Sequence, residues 1–335
     1  MIKKNFWKGK NVFITGVNGF VGSNLTKNLL NNGSKIIGLT KTKKIKSLMY
    51  YEKINKKIKL FYGDITNKKL LKKIMSEYKI DICFHLAAQV EVGKARIEPY
   101  ETWETNIRGT YNFFEAVRES KNTIRSIIVA SSDKAYGNYP RHKLPYKEDY
   151  KLNPLYPYDV SKACADLISK SYTSEVFKLP IIITRFSNIY GPGQLNFSAI
   201  FPDSIKSIIE NKSFIPRSNG KDLRDYIFIN DIVDIYEILA KNLYNNNSLS
   251  GEIFNAGNNK PISVKNLLRI IFYHKNKKKE YKKILNKMKN KKTKGEIKFQ
   301  SMDYKKLNKF FNWKPKYNLK SSLEITFNWY EKFLR

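Results

Sequence analysis

Six short apolar runs, at 11–15, 35–39, 59–62, 81–86, 126–132 and 180–184, punctuate the first half of the chain, and stretches of helical period lie between them. Val21, Leu25 and Leu29, with Gly33 as the stop, form one such period. Strands separated by helices lie parallel, and each crossover lays a helix on a face of the sheet, so both faces are covered. The predicted fold class is therefore α/β, a doubly wound parallel sheet.

Beyond about residue 190 the alternation fades into loops rich in Pro, Gly and Asn, with helical segments expected near 202–211, 230–243 and 263–274. We read residues 1–190 as one domain. Residues 191–335 read mainly as a smaller C-terminal substrate-binding lobe over the C-terminal edge of the sheet, with some segments returning to the first domain. The Lys-rich stretch 274–298 reads as a solvated helix or a mobile flap, with no chemistry assigned.

Composition removes several classes. No apolar run is long enough to span a bilayer, and the start MIKKNFWKGK lacks the apolar core of an export signal. Cys83 and Cys164 have no metal-ligand spacing, so a reduced, cytoplasmic protein without a metal is expected. The net charge of +34 invites a nucleic-acid reading. That excess is mostly Lys spread through nearly every segment, whereas a nucleic-acid face tends to be local and to contain Arg. Neither nucleic acid nor membrane is expected as a partner, and the charge would help attract an anionic small molecule.

The stretch Thr15-Gly16-Val17-Asn18-Gly19-Phe20-Val21-Gly22 follows the first strand and opens the first helix. Glycines there allow a tight turn, close approach to a pyrophosphate and tight helix–strand packing, and the helix N-terminus faces the anion. The spacing is one residue longer than the usual dehydrogenase fingerprint. The second strand ends at Thr40 and Lys41 with no acid to take a ribose 2′-OH, which tips NAD(P) slightly towards NADP. Asp64 and Ile65 follow the third strand, where an acid could reach an adenine amino group.

Tyr158 and Lys162 are four apart at the start of an apparent helix, and so share one of its faces. A cation beside a phenol lowers its pKa, which would let Tyr158 act as a base towards a sugar hydroxyl that Ser132 also binds. Asp133 and Lys134 come directly after Ser132. On their own they read first as a solvated strand-to-loop turn.

The stretches TGVNGFVG, YGDI, HLAAQ, TNIRGT, SSDKAYG, YPYDVSK, RFSNIYGPG, LRDYIFINDIV, FNAGN and NWKP run through nearly the whole chain. Together they resemble the extended short-chain dehydrogenase/reductases of the nucleotide-sugar epimerase and dehydratase family. The resemblance implies a Rossmann domain with a tightly bound NAD(P) that is regenerated each turnover. Its contacts would be Gly16, Asn18, Gly19, Phe20, Val21, Gly22, Thr40, Lys41, Asp64, Ile65, Leu86, Ala87, Ala88, Asn106, Tyr158 and Lys162. It also implies a Ser132–Tyr158–Lys162 triad, an NDP-sugar substrate held by Gln89, Asn188, Asn196, Arg217 and Arg224, and a homodimer built through a four-helix bundle.

Within that family, epimerases usually carry small or apolar residues after the triad hydroxyl, whereas 4,6-dehydratases carry an acid and a base. Asp133-Lys134 resembles the latter, above all the CDP-glucose type, as do Trp7-Lys8-Gly9-Lys10 and Gln89. Lys134 would take the C5 proton while Asp133 protonates the departing C6 hydroxyl. In water a neutral Lys and protonated Asp lie about 9 kcal/mol above the charged pair, given ordinary pKa values of about 10.4 and 3.9, and a dry site narrows that gap. Lys134 could instead stay charged and stabilise the enolate. Leu223-Arg224-Asp225-Tyr226 departs from the CDP-glucose pattern, and an Asp-Lys pair also occurs in enzymes acting on UDP-N-acetylglucosamine. CDP-glucose, GDP-mannose or a GDP-heptose lead as substrates. A non-dehydrating epimerase or 4-reductase is the alternative, and a nucleic-acid-binding relative the distant one.

Overall fold

The computed structural model describes residues 5–43, 46–289, 291 and 297–335. All six expected runs become strands: β1 (Asn11–Thr15), β2 (Lys35–Thr40), β3 (Lys59–Tyr62), β4 (Ile82–His85), β5 (Ser126–Ala130) and β6 (Ile181–Phe186). Three short strands follow, β7 (Asn188–Tyr190), β8 (Leu223–Arg224) and β9 (Tyr226–Phe228). They are succeeded by β10 (Ile253–Ala256) and β11 (Ile262–Ser263). The main sheet has seven parallel strands in the order β10-β6-β5-β4-β1-β2-β3. The order reverses between β1 and β4, which opens a crevice at the C-terminal strand ends where such sheets bind ligands.

Strand alternation divides the core in two. Along β1, Val12 and Ile14 face a layer with Leu25, Leu29, Phe84, Tyr236 and Leu239. Phe13 faces the other way, towards Ile37, Leu71, Ile74, Phe113 and Ile127. The helices Phe20–Asn31 and Ile229–Asn245 lie on the first face. The helices Lys68–Glu77 and Gly109–Arg118 cover the second, and Pro157–Ser171 packs against Gly109–Arg118. Gly33, at φ +84°, ends the first helix by a double bond pattern in which Ser34 N donates to Leu29 O and Gly33 N to Leu30 O.

β10 was not expected from the sequence. It is four residues long within a stretch rich in Gly and Asn, and only its pairing with β6 defines it. The chain after β6 also forms a parallel β7–β9 pair, an antiparallel β8–β11 pair and helices at Ile200–Ile209, Val264–His274, Lys305–Phe311 and Leu319–Leu334. The Lys-rich stretch contains the helix Lys278–Met288, which is solvated on one side and buries Tyr281, Ile284 and Met288 on the other. Its residues 290 and 292–296 lie outside the described ones. Among the described residues no helix is long and apolar enough to cross a membrane. None of their His, Cys, Asp and Glu side chains gather in a group of three or more that could hold a metal ion.

Candidate active site

Gly16 leaves β1 at φ +70°, and a Cβ there would stand 2.9 Å from the Ala87 backbone, so the turn is open to glycine alone. A Cβ on Gly22 would fall 2.4 Å from the Gly16 carbonyl, which is how closely the helix packs on the loop. Gly19 is the N-cap and the first turn, with Phe20, Val21 and Gly22, holds no acid, so the positive helix end is unopposed. Asn18 is buried; it accepts a hydrogen bond from the Ser47 hydroxyl, while its Nδ2 has no partner among the described residues. A buried, unused donor beside a cradle that no Cβ could share fits the pyrophosphate of a dinucleotide.

At the end of β2 the Thr40 hydroxyl donates to the Thr42 carbonyl. The Lys41 ammonium lies 3.0 Å from Asp64 and 3.5 Å from Glu101. Burial opposes ionisation of Asp64, but bonds from Thr66 and Lys41 hold its carboxyl below the usual carboxylate range. Ile65 is buried against Gly109.

A polar line runs beneath the crevice. Leu86 N and Ala87 N both donate to Thr15 Oγ1 at 3.1 Å, with Ala88 next in the chain. Thr15 Oγ1 lies 2.9 Å from His85 Nδ1, and Thr110 Oγ1 lies 3.1 Å from Nε2 and donates to Asn106 O. With its lone pairs engaged by two amides, Thr15 donates to Nδ1, which puts the His85 proton on Nε2. Burial, with Lys162 nearby, lowers the His85 pKa to about 3, so the ring is neutral. Asn106 sits on a π-turn, Glu104–Arg108, and joins the Gln89 backbone to Ser161, whose hydroxyl donates to Tyr158 O. The HLAAQ strand end and the helix bearing Tyr158 are thereby tied together. The stretch HLAAQ contains His85, but nothing local in the sequence assigns it this task.

Ser132, Asp133, Lys134, Tyr158 and Lys162 meet at the end of β5. Ser132 caps a short 3₁₀ turn, Asp133–Tyr136, accepting from Lys134 N at 3.2 Å and donating to Asp133 Oδ1 at 3.1 Å. Asp133 is 2% exposed; burial raises its pKa, against the pull of Lys134, Ser132 and Arg224. Lys162 donates to Ala130 O at 2.6 Å, and burial lowers its pKa to about 8. The expected lowering of the Tyr158 pKa by Lys162 is not what this geometry gives. Burial raises Tyr158 well above the ordinary phenol value, the Asp133 charge adds to the rise, and the group that pulls it back is Ser132.

Beneath the turn, Tyr136 stacks on Tyr146 with ring centres 4.9 Å apart and donates to Asn255. Arg185 donates to the Tyr136 hydroxyl at 2.8 Å and forms a buried two-point pair with Asp166 at 2.7 and 2.9 Å. Sequence reading also missed Gln300, whose Nε2 donates to Asp133 Oδ2 at 2.9 Å. At a sequence separation of 167, no local pattern could have found it.

The expected substrate residues fall into separate groups. Asn188 donates to Asp225 O, and Arg224 faces Asp133 while donating to Leu223 O. Arg217 donates to Ser198 O and pairs with Asp203 at 3.4 Å, and Asn196 turns the same loop by accepting from Ser198 N. The Gln89 side chain is tied to the Glu91 backbone.

Known proteins resemble this chain in sequence and in fold. CDP-glucose 4,6-dehydratase of Salmonella typhimurium is 30% identical over 266 residues, 77% of this chain and 73% of that one. UDP-glucuronate 4-epimerase of Thermodesulfobacterium geofontis is 30% identical over 327 residues, 94% of each. The dTDP-glucose 4,6-dehydratase of Bacillus anthracis str. Ames, solved in complex with NAD, superposes with a TM-score of 0.80 at 26% identity over 97% of each chain. The family described as GDP-mannose 4,6 dehydratase matches residues 13–326, nearly the whole length, and the chain belongs to that family of nucleotide-sugar dehydratases and epimerases.

Proposed function

We propose that this chain is a nucleotide-sugar 4,6-dehydratase, which makes an NDP-4-keto-6-deoxy sugar by oxidising C4, removing water across C5 and C6, and reducing C6. The observation that carries this reading is Asp133: an acid, almost wholly buried, one residue beyond the triad hydroxyl and near enough to Tyr158 to oppose its ionisation. A 4-epimerase moves hydride out and back at one carbon and has no leaving group to protonate. A dehydratase needs an acid at this point.

A nicotinamide dinucleotide held by the Gly16–Gly22 loop, Asp64, the Leu86–Ala88 strand end and Asn106 supplies the hydride acceptor and donor. Tyr158 takes the O4 proton, with Ser132 holding the same oxygen and the Lys162 charge close by. Asp133, whose pKa burial raises, carries its proton to the departing C6 hydroxyl. While it holds that proton it no longer opposes the ionisation of Tyr158, so the acid and base states favour each other. Lys134 takes the C5 proton, which the new C4 ketone has acidified, and returns a proton to C5 as hydride reaches C6. Gln89, Asn188, Asn196, Arg217 and Arg224 hold the sugar and its diphosphate.

The expected preference for NADP rests on the absence of an acid at the end of β2 and on its basic residues, of which Lys41 has its charge offset by Asp64 and Glu101. That balance favours NAD, the cofactor in the B. anthracis structure. Tyr100, Trp103 and Tyr111 are 72, 42 and 40% exposed on one helical segment, and Leu167 is 60% exposed on Pro157–Ser171. These faces suit a homodimer through a four-helix bundle in a cytoplasmic enzyme, and sedimentation would test it.

A second reading, an epimerase or 4-reductase, draws on the epimerase relative, which aligns over more of this chain than the CDP-glucose dehydratase does. Incubation with CDP-glucose, GDP-mannose, dTDP-glucose and UDP-N-acetylglucosamine separates them. Loss of one water by mass supports dehydration. An unchanged mass with a new sugar supports epimerisation.

A further inference from the structure

Gln300 is 0% exposed and Asp133 2%, and the amide donates to Oδ2 of the carboxyl at 2.9 Å. Its backbone is fixed on both sides. Gln300 N donates to Leu223 O and Leu223 N to Lys298 O, while Tyr146 N donates to Ser301 O and Asp303 N to Tyr146 O. Tyr146, Tyr136 and Met302 form a small apolar cluster, and Tyr136 belongs to the same 3₁₀ turn as Asp133. The segment carrying Gln300 is thus built onto the turn carrying the acid. Gln300 Oε1 has no partner among the described residues. A residue kept only for packing would be apolar here, since a buried unsatisfied acceptor is unfavourable.

We infer that Gln300 is a positioning residue for Asp133: by donating to Oδ2 it keeps that oxygen an acceptor and puts the acid's proton on Oδ1. This inference rests on the dehydratase reading. Oδ1 lies 3.1 Å from Ser132 Oγ, which donates to the ionised carboxylate and accepts once Oδ1 carries the proton, and Ser132 is the group that favours ionisation of Tyr158. The proton therefore sits on the side of the reacting sugar. Each turnover gives Tyr158 one proton from O4 and takes one from Asp133 to the leaving hydroxyl. The line Tyr158–Ser132–Oδ1 lets the first replace the second, so the pair resets with no net proton change.

The test compares wild type, Gln300→Met and Gln300→Glu, as full-length enzymes with bound cofactor, on whichever nucleotide sugar the wild type dehydrates. Thermal unfolding accompanies each rate measurement. Gln300→Met keeps the side-chain volume without the hydrogen bond. Reduction of the nicotinamide should persist, while water loss slows about a hundredfold at every pH. Gln300→Glu can donate only when protonated, so its water loss should approach the wild-type rate in acid and fall as pH rises. The groups that face this titration are Asp133, Lys134, Arg224, Tyr146 and Tyr158, with Asp159 acting on the two phenols. Normal water loss in Gln300→Met, or equal slowing of both variants at all pH values alongside equal loss of thermal stability, would overturn the positioning role. A wild type that removes water from none of the four sugars would overturn the dehydratase reading itself.

Discussion

Replacing Lys162 by Met removes an ammonium buried at the end of β5, and the consequence for stability is a slope against pH. Lys162 is 5% exposed, and burial lowers its pKa from 10.5 to about 8. At about 1.4 kcal/mol per tenfold change in a protonation equilibrium, keeping this group charged in the folded state costs on the order of 3 kcal/mol. The folded pKa lies below the unfolded one, so between pH 8 and 10.5 the unfolded chain holds more protons. Stability contributed at this position therefore rises with pH through that window, and below pH 8 the full cost remains. Methionine does not titrate. The wild type should accordingly gain about 3 kcal/mol relative to Lys162→Met from neutrality to the top of the window. Loss of the 2.6 Å bond to Ala130 O shifts the whole comparison without creating the slope. Urea unfolding of both proteins, followed by tryptophan fluorescence across the window, measures it. A flat difference would refute the claim that Lys162 is held at a depressed pKa by burial.

Gly19→Val should weaken NAD binding by about tenfold or more with a smaller loss of thermal midpoint than Gly22→Val, because it obstructs the approach of the pyrophosphate and its Cβ would lie 3.0 Å from the Gly16 carbonyl. Gly22→Val should instead lower the midpoint, since its Cβ would lie 2.4 Å from the Gly16 carbonyl; titration and melting curves in the reverse order would contradict this. Arg185→Met should destabilise the fold by about 3–5 kcal/mol by leaving buried Asp166 uncompensated. Adding Asp166→Leu should restore much of that loss in denaturant unfolding, and a double variant no better than the single would contradict the mechanism. NAD should bind more tightly than NADP in parallel titrations, because two carboxylates offset Lys41; the opposite preference would return the balance to a 2′-phosphate.

What was legible in the sequence was local. Five of the six apolar runs became strands because each is a largely buried run bounded by turn residues, whereas β3, with no buried residue, is held by its pairing with β2; Tyr158 and Lys162 share a helix because four positions make roughly one turn. Asp133 and Lys134 sit where β5 ends because they follow the strand directly. What stayed hidden is non-local. β10 exists because β6 offers an unpaired edge, and its four residues carry no period of their own. Gln300 reaches Asp133 through pairing of residues 298–300 with β8, which no spacing encodes. The Tyr158 pKa departs from the sequence expectation for a related reason. Helical spacing says that Lys162 is near, but not that both groups are buried or that the ammonium is directed at Ala130 O.

Single-turnover reaction of Asp133→Asn and Lys134→Ala with the nucleotide sugar that the wild type dehydrates, following nicotinamide reduction by absorbance and product by mass, addresses the dehydration claim most directly. In both variants C4 oxidation should proceed and stop, leaving reduced nicotinamide with a 4-keto sugar that retains its water, with elimination slowed about a hundredfold or more. Deuterium placed at C5 should remain there in Lys134→Ala if Lys134 is the base. Water loss at the wild-type rate in both variants would mean that Asp133 and Lys134 form only a turn after the strand.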